Sequence, residues 1–214
     1  MNSFKSIWSV IIVICVSGFA LSCKDDDPTP ATVVATTYTD LSADPGTGVS
    51  PTTGQPTGIT NKYTLFNFAT GKIVANTDSA TTKWDVGFRR TTIIVNGGTS
   101  GPGNAGAIVK TTLFDDIKEA PADGYAVDTK TATPPFAIPT GSGNGWYTYD
   151  AAANVIKPTA GKIIIFRTAD KHYAKVEILS FYKGNKSTPT STDISGYYSF
   201  RYVYQPNDSK NFSN

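Results

Sequence analysis

The feature that most constrains this chain is its periodicity. No window longer than one or two turns repeats its apolar residues every 3.6 positions, yet several segments alternate every second residue. Alternation with a period of two sends successive side chains to opposite faces of a strand. Residues 197–205 set Tyr198, Phe200, Tyr202 and Tyr204 on one face, with Ser199, Arg201 and Gln205 on the other. Residues 173–182 set Ala174, Val176 and Ile178 against Lys175 and Glu177. Residues 84–88 alternate large apolar side chains with Asp85 and Gly87, and residues 162–166 form a continuous apolar run suited to a central strand. Residues 63–68, a turn at Thr70-Gly71-Lys72 and residues 73–75 read as a hairpin. Further strands are expected at 33–39, 91–95, 107–114 and 145–150, a long loop at 44–60, and one helical turn at 114–120. The chain contains 30 Thr, which favours extended backbone. The expected fold is all-β and antiparallel, a sandwich-like single domain over residues 33–214, following a signal peptide and a short linker.

The N-terminus reads differently. Lys5 precedes an apolar run over residues 7–21, the order of a secretory signal peptide. The run is short for a membrane span, which needs roughly 18 consecutive apolar residues. It ends in Ala20-Leu21-Ser22-Cys23, and small residues before a Cys look like a bacterial lipobox. Residues 1–22 are therefore expected to be removed and Cys23 lipidated; the alternative is an ordinary cleaved signal with an incidental Cys. Lys24-Asp25-Asp26-Asp27 resembles the surface-export signal of Bacteroidetes lipoproteins, which implies the outer face of the outer membrane. Residues 23–32 are polar and Pro-rich and read as a lipidated tether.

The chain has one His, one Met and two Cys, and both Cys lie near the N-terminus. That scarcity argues against zinc sites, Cys-His catalysis and disulfide scaffolds. No acid/base pair or nucleophile can be assembled, so no enzyme is expected. A net charge of +2 without a basic cluster points away from nucleic acid. Gly101-Pro102-Gly103-Asn104-Ala105-Gly106 matches GxGxxG, but a β-like segment follows, so a mobile turn is expected and not a phosphate cradle. His172 is expected in an exposed hairpin turn. Asp115, Asp116 and Glu119 read as surface charge. One of Arg89 and Arg90 is expected to face solvent while the other pairs with Asp85 or a distant carboxylate. The best candidate for a site is residues 141–150, where a Gly-rich run precedes Trp146, Tyr147 and Tyr149. Glycines let the backbone approach a ligand and flat rings can stack on one. An aromatic strand start in the core would give the same pattern.

Several strings, in order, resemble the HmuY family of Bacteroidetes hemophore-like lipoproteins. They include residues 63–74, Lys83-Trp84-Asp85-Val86 through Arg90, Asn96-Gly97-Gly98-Thr99-Ser100-Gly101 and residues 121–127. Gly145-Trp146, Phe166-Arg167, Tyr173-Ala174-Lys175-Val176 and the closing residues 198–204 continue the series. The resemblance implies an all-β fold, a lipid anchor in the outer membrane, and capture of heme for delivery to a TonB-dependent receptor. It also implies two axial His or Met ligands, one from the loop before Gly145-Trp146 and one on or near Ala151. Neither region holds His or Met. Iron donors in proteins are His, Met, Cys or Tyr. The resemblance therefore leaves Tyr147 and Tyr149 near the site, with Tyr149 as the metal donor and Trp146, Tyr147 and Tyr149 as the heme-contacting set. Heme held by ring faces alone, or the same fold used as a non-heme binding or interaction module, are the alternatives.

Overall fold

The computed structural model describes residues 33–52, 56–132 and 135–213. The expected signal peptide, Cys23 and the tether lie outside the described residues. Two antiparallel sheets organise the chain. The larger has the order β1 (Ala35–Ser42), β13 (Ser195–Gln205), β12 (Tyr173–Tyr182), β11 (Lys162–Arg167), β8 (Gly106–Thr111). The smaller has the order β5 (Lys72–Val74), β4 (Thr64–Asn67), β6 (Val86–Arg89), β7 (Thr92–Val95). Two short hairpins complete the set, β9 (Tyr147–Asp150) with β10 (Val155–Pro158), and β2 (Gly48–Val49) with β3 (Pro56–Thr57). The 63–75 hairpin is present, β11 is paired on both edges, and β12 matches the expected segment. The expected long loop carries the β2–β3 hairpin, and the single helical turn is a 3-10 turn at Phe114–Asp116. Among the described residues no helix is long and apolar enough to cross a membrane.

Alternation builds the core between the sheets. Phe66 of β4 meets Phe200 of β13 edge-on at 5.4 Å, and Phe88 of β6 stacks on Phe200 at 5.6 Å. Phe68 lies 5.2 Å from Phe166 of β11. Such pairs each add about 0.5–1.5 kcal/mol beyond area burial. Among the described residues the hydrophobic clusters draw on side chains from Val33 to Phe212.

The faces expected to meet water are largely covered. Phe114, Ile117, Ala120 and Phe212 pack on Ile163, Ile165 and Val203, on the outer face of the large sheet. Gln205 is buried as well, its Nε2 donating to the Asn211 carbonyl, and Ser199 is buried toward the other end of β13, where its hydroxyl accepts Asp40 N–H (3.2 Å). Lys175, on the polar face of β12, is 4 % exposed. Its ammonium donates to the carbonyls of Phe114 (2.8 Å) and Ile117 (2.9 Å) and lies 4.3 Å from the Phe114 ring centroid. Burial pulls its pKa below the ordinary lysine value. The covering segment has no periodic pattern, so the two carbonyls that need a donor could not be anticipated. Lys175→Met keeps the apolar stem and orphans both carbonyls, and should cost about 1–3 kcal/mol in urea unfolding. An unchanged midpoint would mean that water replaces the ammonium.

Candidate functional site

The 141–150 region folds into a hairpin with its preceding loop laid along it. In register, Tyr149 of β9 pairs with Ile156 of β10, and Tyr147 with Pro158. The other edge of β9 is taken by the chain just before it: Gly143 N–H donates to the Tyr147 carbonyl at 2.9 Å, and Tyr149 N–H to Ser142 Oγ at 2.8 Å. At Gly145 a side chain would collide with the Pro139 carbonyl, so its freedom serves a close approach of the chain to itself.

The three aromatic residues part company. Trp146 is 1 % exposed, its Nε1–H donates to the Thr91 carbonyl (3.0 Å), and its rings lie 5.0 Å from Tyr198 and 5.6 Å from Phe181. Tyr147 packs against Trp146 at 4.9 Å and is buried. Tyr149 is 48 % exposed, and its hydroxyl donates to Asn154 Oδ1 at 2.8 Å. The hairpin thus anchors two rings in the core and presents one phenol to solvent. Tyr149 is the one tyrosine classed exposed among the described residues.

The loop expected to precede the site is held from below by Asp128. Its carboxylate accepts the N–H groups of Val95 (2.9 Å) and Ala137 (2.8 Å), which fixes the 135–139 segment against the small sheet. Burial raises the Asp128 pKa. Asp85 does the same work on the other side. It is 2 % exposed and accepts from Phe68 N–H (2.8 Å) and Ala169 N–H (2.9 Å). Burial pushes its pKa up to about 6. Sequence reasoning put Asp85 on the polar side of a half-buried strand and assigned Asp128 no role. A lone carboxylate between Trp84 and Val86 was the signal for the first; nothing in the sequence marked the second.

The remaining candidates resolve into structural roles. The GxGxxG loop is pinned: Asn96 is fully buried, donates to the carbonyls of Thr81 (2.9 Å) and Trp84 (2.7 Å), and accepts from Gly103 N–H (3.0 Å). Its glycines make room for Asn96 and Ala169. The segment was expected to be a mobile turn and is a buttressed loop. Neither arginine pairs with Asp85. Arg89 lies over the Tyr63 ring at 4.5 Å, and Arg90, at φ +50°, donates its N–H to Ala43 and accepts from the Tyr198 hydroxyl through backbone atoms. His172 sits in the turn between β11 and β12, its Nδ1 3.1 Å from Asp170 Oδ2 and 3.3 Å from the Tyr204 hydroxyl. Among the described residues no cluster of three or more His, Cys, Asp or Glu could hold a metal ion.

A porphyrin iron at this hairpin would therefore find one protein donor, the Tyr149 phenol, approaching from one side. The donor set fits single-sided oxygen ligation and does not fit a two-ligand clamp, since residues 128–144 contribute no donor side chain for iron.

Comparison with known proteins matches the chain, over residues 60–202, to the model of the HmuY protein family. No curated protein matches it. Among solved structures it is similar to the apo HmuY analog of Tannerella forsythia, at 16 % identity and TM-score 0.48, covering 82 % of this chain and 98 % of that one. It is also similar to a chain described as a HmuY-like heme-binding protein from Bacteroides vulgatus, at 15 % identity and TM-score 0.48, covering 81 % and 93 %. A third, described as a lipoprotein from Bacteroides fragilis, shares 16 % identity at TM-score 0.44, covering 68 % and 85 %. The family match takes in the whole smaller sheet, the larger sheet apart from β1 and the end of β13, and the β9–β10 hairpin, and with it the chain belongs to the HmuY family.

Proposed function

We propose that this protein is a lipid-anchored, surface-exposed binder of heme or a related porphyrin, with Tyr149 as the iron donor, and that it delivers its ligand to a TonB-dependent receptor. Family membership carries this reading. The local chemistry supports it in one respect, the exposed phenol on a hairpin whose other rings are locked in the core. Trp146 and Tyr147 act here as the hairpin's foundation, and Tyr149 makes the contact. A phenolate suits ferric heme. The Asn154 amide that now accepts the Tyr149 proton can turn its NH2 toward a ligated oxygen, because the two ends of an amide differ little in shape. The anchor is Cys23, and the Lys24-Asp25-Asp26-Asp27 run directs it outward across the outer membrane.

A second reading keeps the fold as a non-heme interaction module. The observation in its favour is the seating of residues 142–143 directly on β9. Gel filtration after incubation with hemin separates the two. Pigment co-eluting with residues 24–214 and lost in Tyr149→Phe is expected. Pigment on both proteins removes Tyr149 as the donor, and pigment on neither favours the interaction module.

A further inference from the structure

A cleft of roughly 330 Å³ opens between β10 and the end of β12, beyond the last β11 partner. Its volume is at the small end of ligand pockets, about 300–1,000 Å³. It adjoins the hairpin at Ile156, the register partner of Tyr149. Ile156, Pro158, Phe181 and Pro189 supply apolar walls.

The polar groups in it share one need. The Thr159 hydroxyl is buried and has no hydrogen-bond partner, the one such buried side-chain atom among the described residues. Its backbone is fixed, N–H to the Trp146 carbonyl (2.9 Å) and carbonyl to Lys162 N–H (3.1 Å), so the hydroxyl is held in place. Buried polar atoms are almost always paired, by protein, water or ligand. The Tyr182 hydroxyl accepts Ile156 N–H at 2.8 Å, which leaves its own proton to donate. Lys157 and Lys186 flank the cleft, and the Lys157 ammonium is engaged by Asp150 Oδ2 at 2.9 Å. Lys186 reaches only 3.6 Å from Asp193, and its carbonyl is fixed by the Ser180 hydroxyl at 2.8 Å. The one carboxylate in the lining, Glu177, is already engaged by Arg201 Nε at 2.6 Å. Two hydroxyl donors and the Lys186 ammonium around apolar walls complement an anionic acceptor carried on an apolar body.

We propose that this cleft is a subsite for an organic carboxylate, either a free fatty-acid-type anion or the carboxylate edge of a porphyrin. The porphyrin source rests on the function proposed above; the free-acid source does not.

The test uses residues 24–214 and amide chemical shifts. Decanoate should shift the Thr159, Ser180 and Ser187 amides saturably, and decanol should not. Thr159→Val, which removes a hydroxyl that has no partner, and Lys186→Gln, at an exposed residue, should each weaken decanoate roughly tenfold, the loss of one charge-assisted contact. Hemin that displaces decanoate while hemin dimethyl ester does not identifies the porphyrin source. Decanoate binding that hemin leaves untouched identifies the free acid. Absence of saturable shifts with decanoate, or equal shifts with decanol, overturns the proposal. Failure of hemin to bind at all sinks the porphyrin function separately, since the decanoate arm does not depend on it.

Discussion

Trp146→Ala is expected to cost about 3–5 kcal/mol of stability, the range for removing a buried large aromatic side chain. The indole is 1 % exposed and touches Tyr147, Phe181 and Tyr198, so its removal leaves a cavity where the β9–β10 hairpin joins the main core. It also strips the Thr91 carbonyl of its donor. Urea unfolding at neutral pH reads the loss as a lower midpoint at unchanged slope. A ligand platform would behave differently: its ring would lie open, and the same substitution would cost under about 0.5 kcal/mol, as exposed changes do. A loss that small would contradict the placement of Trp146 described here.

Asp85→Ala is the second large effect, and it depends on pH. The substitution leaves the amides of Phe68 and Ala169 without acceptors, at about 1–3 kcal/mol for each buried group. The wild-type carboxyl carries a burden of its own. Burial, with Asp170 nearby and partly offset by the two amides and His172, raises its pKa from 3.8 to about 6. The folded state therefore holds the proton more tightly than the unfolded state. Stability from this group is highest below about pH 4 and falls as pH rises to about 6. Above that, the buried charge costs about 3 kcal/mol, from about 1.4 kcal/mol per pKa unit. Alanine has no such dependence. The difference between wild type and Asp85→Ala should thus be largest at or below about pH 4 and shrink as pH rises through 6 to 7.5. A difference that grows across that interval would mean the carboxylate is stabilised in place by its two amides, and that its pKa is not raised.

The strands were legible because their faces alternate, and the β13 aromatics Tyr198, Phe200 and Tyr202 do line the core. What alternation could not show is that the opposite face would also be covered. Lys175 and Gln205 stand on the polar faces of their strands and are nevertheless buried, and residues 114–120 and the tail at Phe212 carry no repeating signal of their own to announce it. Asp85 and Asp128 were missed for a related reason. A buried carboxylate is explained by the backbone amides it accepts, and those come from residues as distant as Ala169 and Val95. Around the hairpin, the Gly-rich run does lie against the aromatic strand, through Ser142 and Gly143. Whether a ring faces a ligand or the core depends on which segment packs over it. Here Phe181 and Tyr198 close over Trp146, and nothing local to residues 141–150 announces them.

Titration of hemin into residues 24–214, followed at the Soret band, tests the proposed function most directly. A saturable shift at micromolar protein with one hemin per chain, and a phenolate-to-iron charge-transfer band that disappears in Tyr149→Phe, is the predicted result. A Soret band that stays that of free hemin at every protein concentration would contradict it.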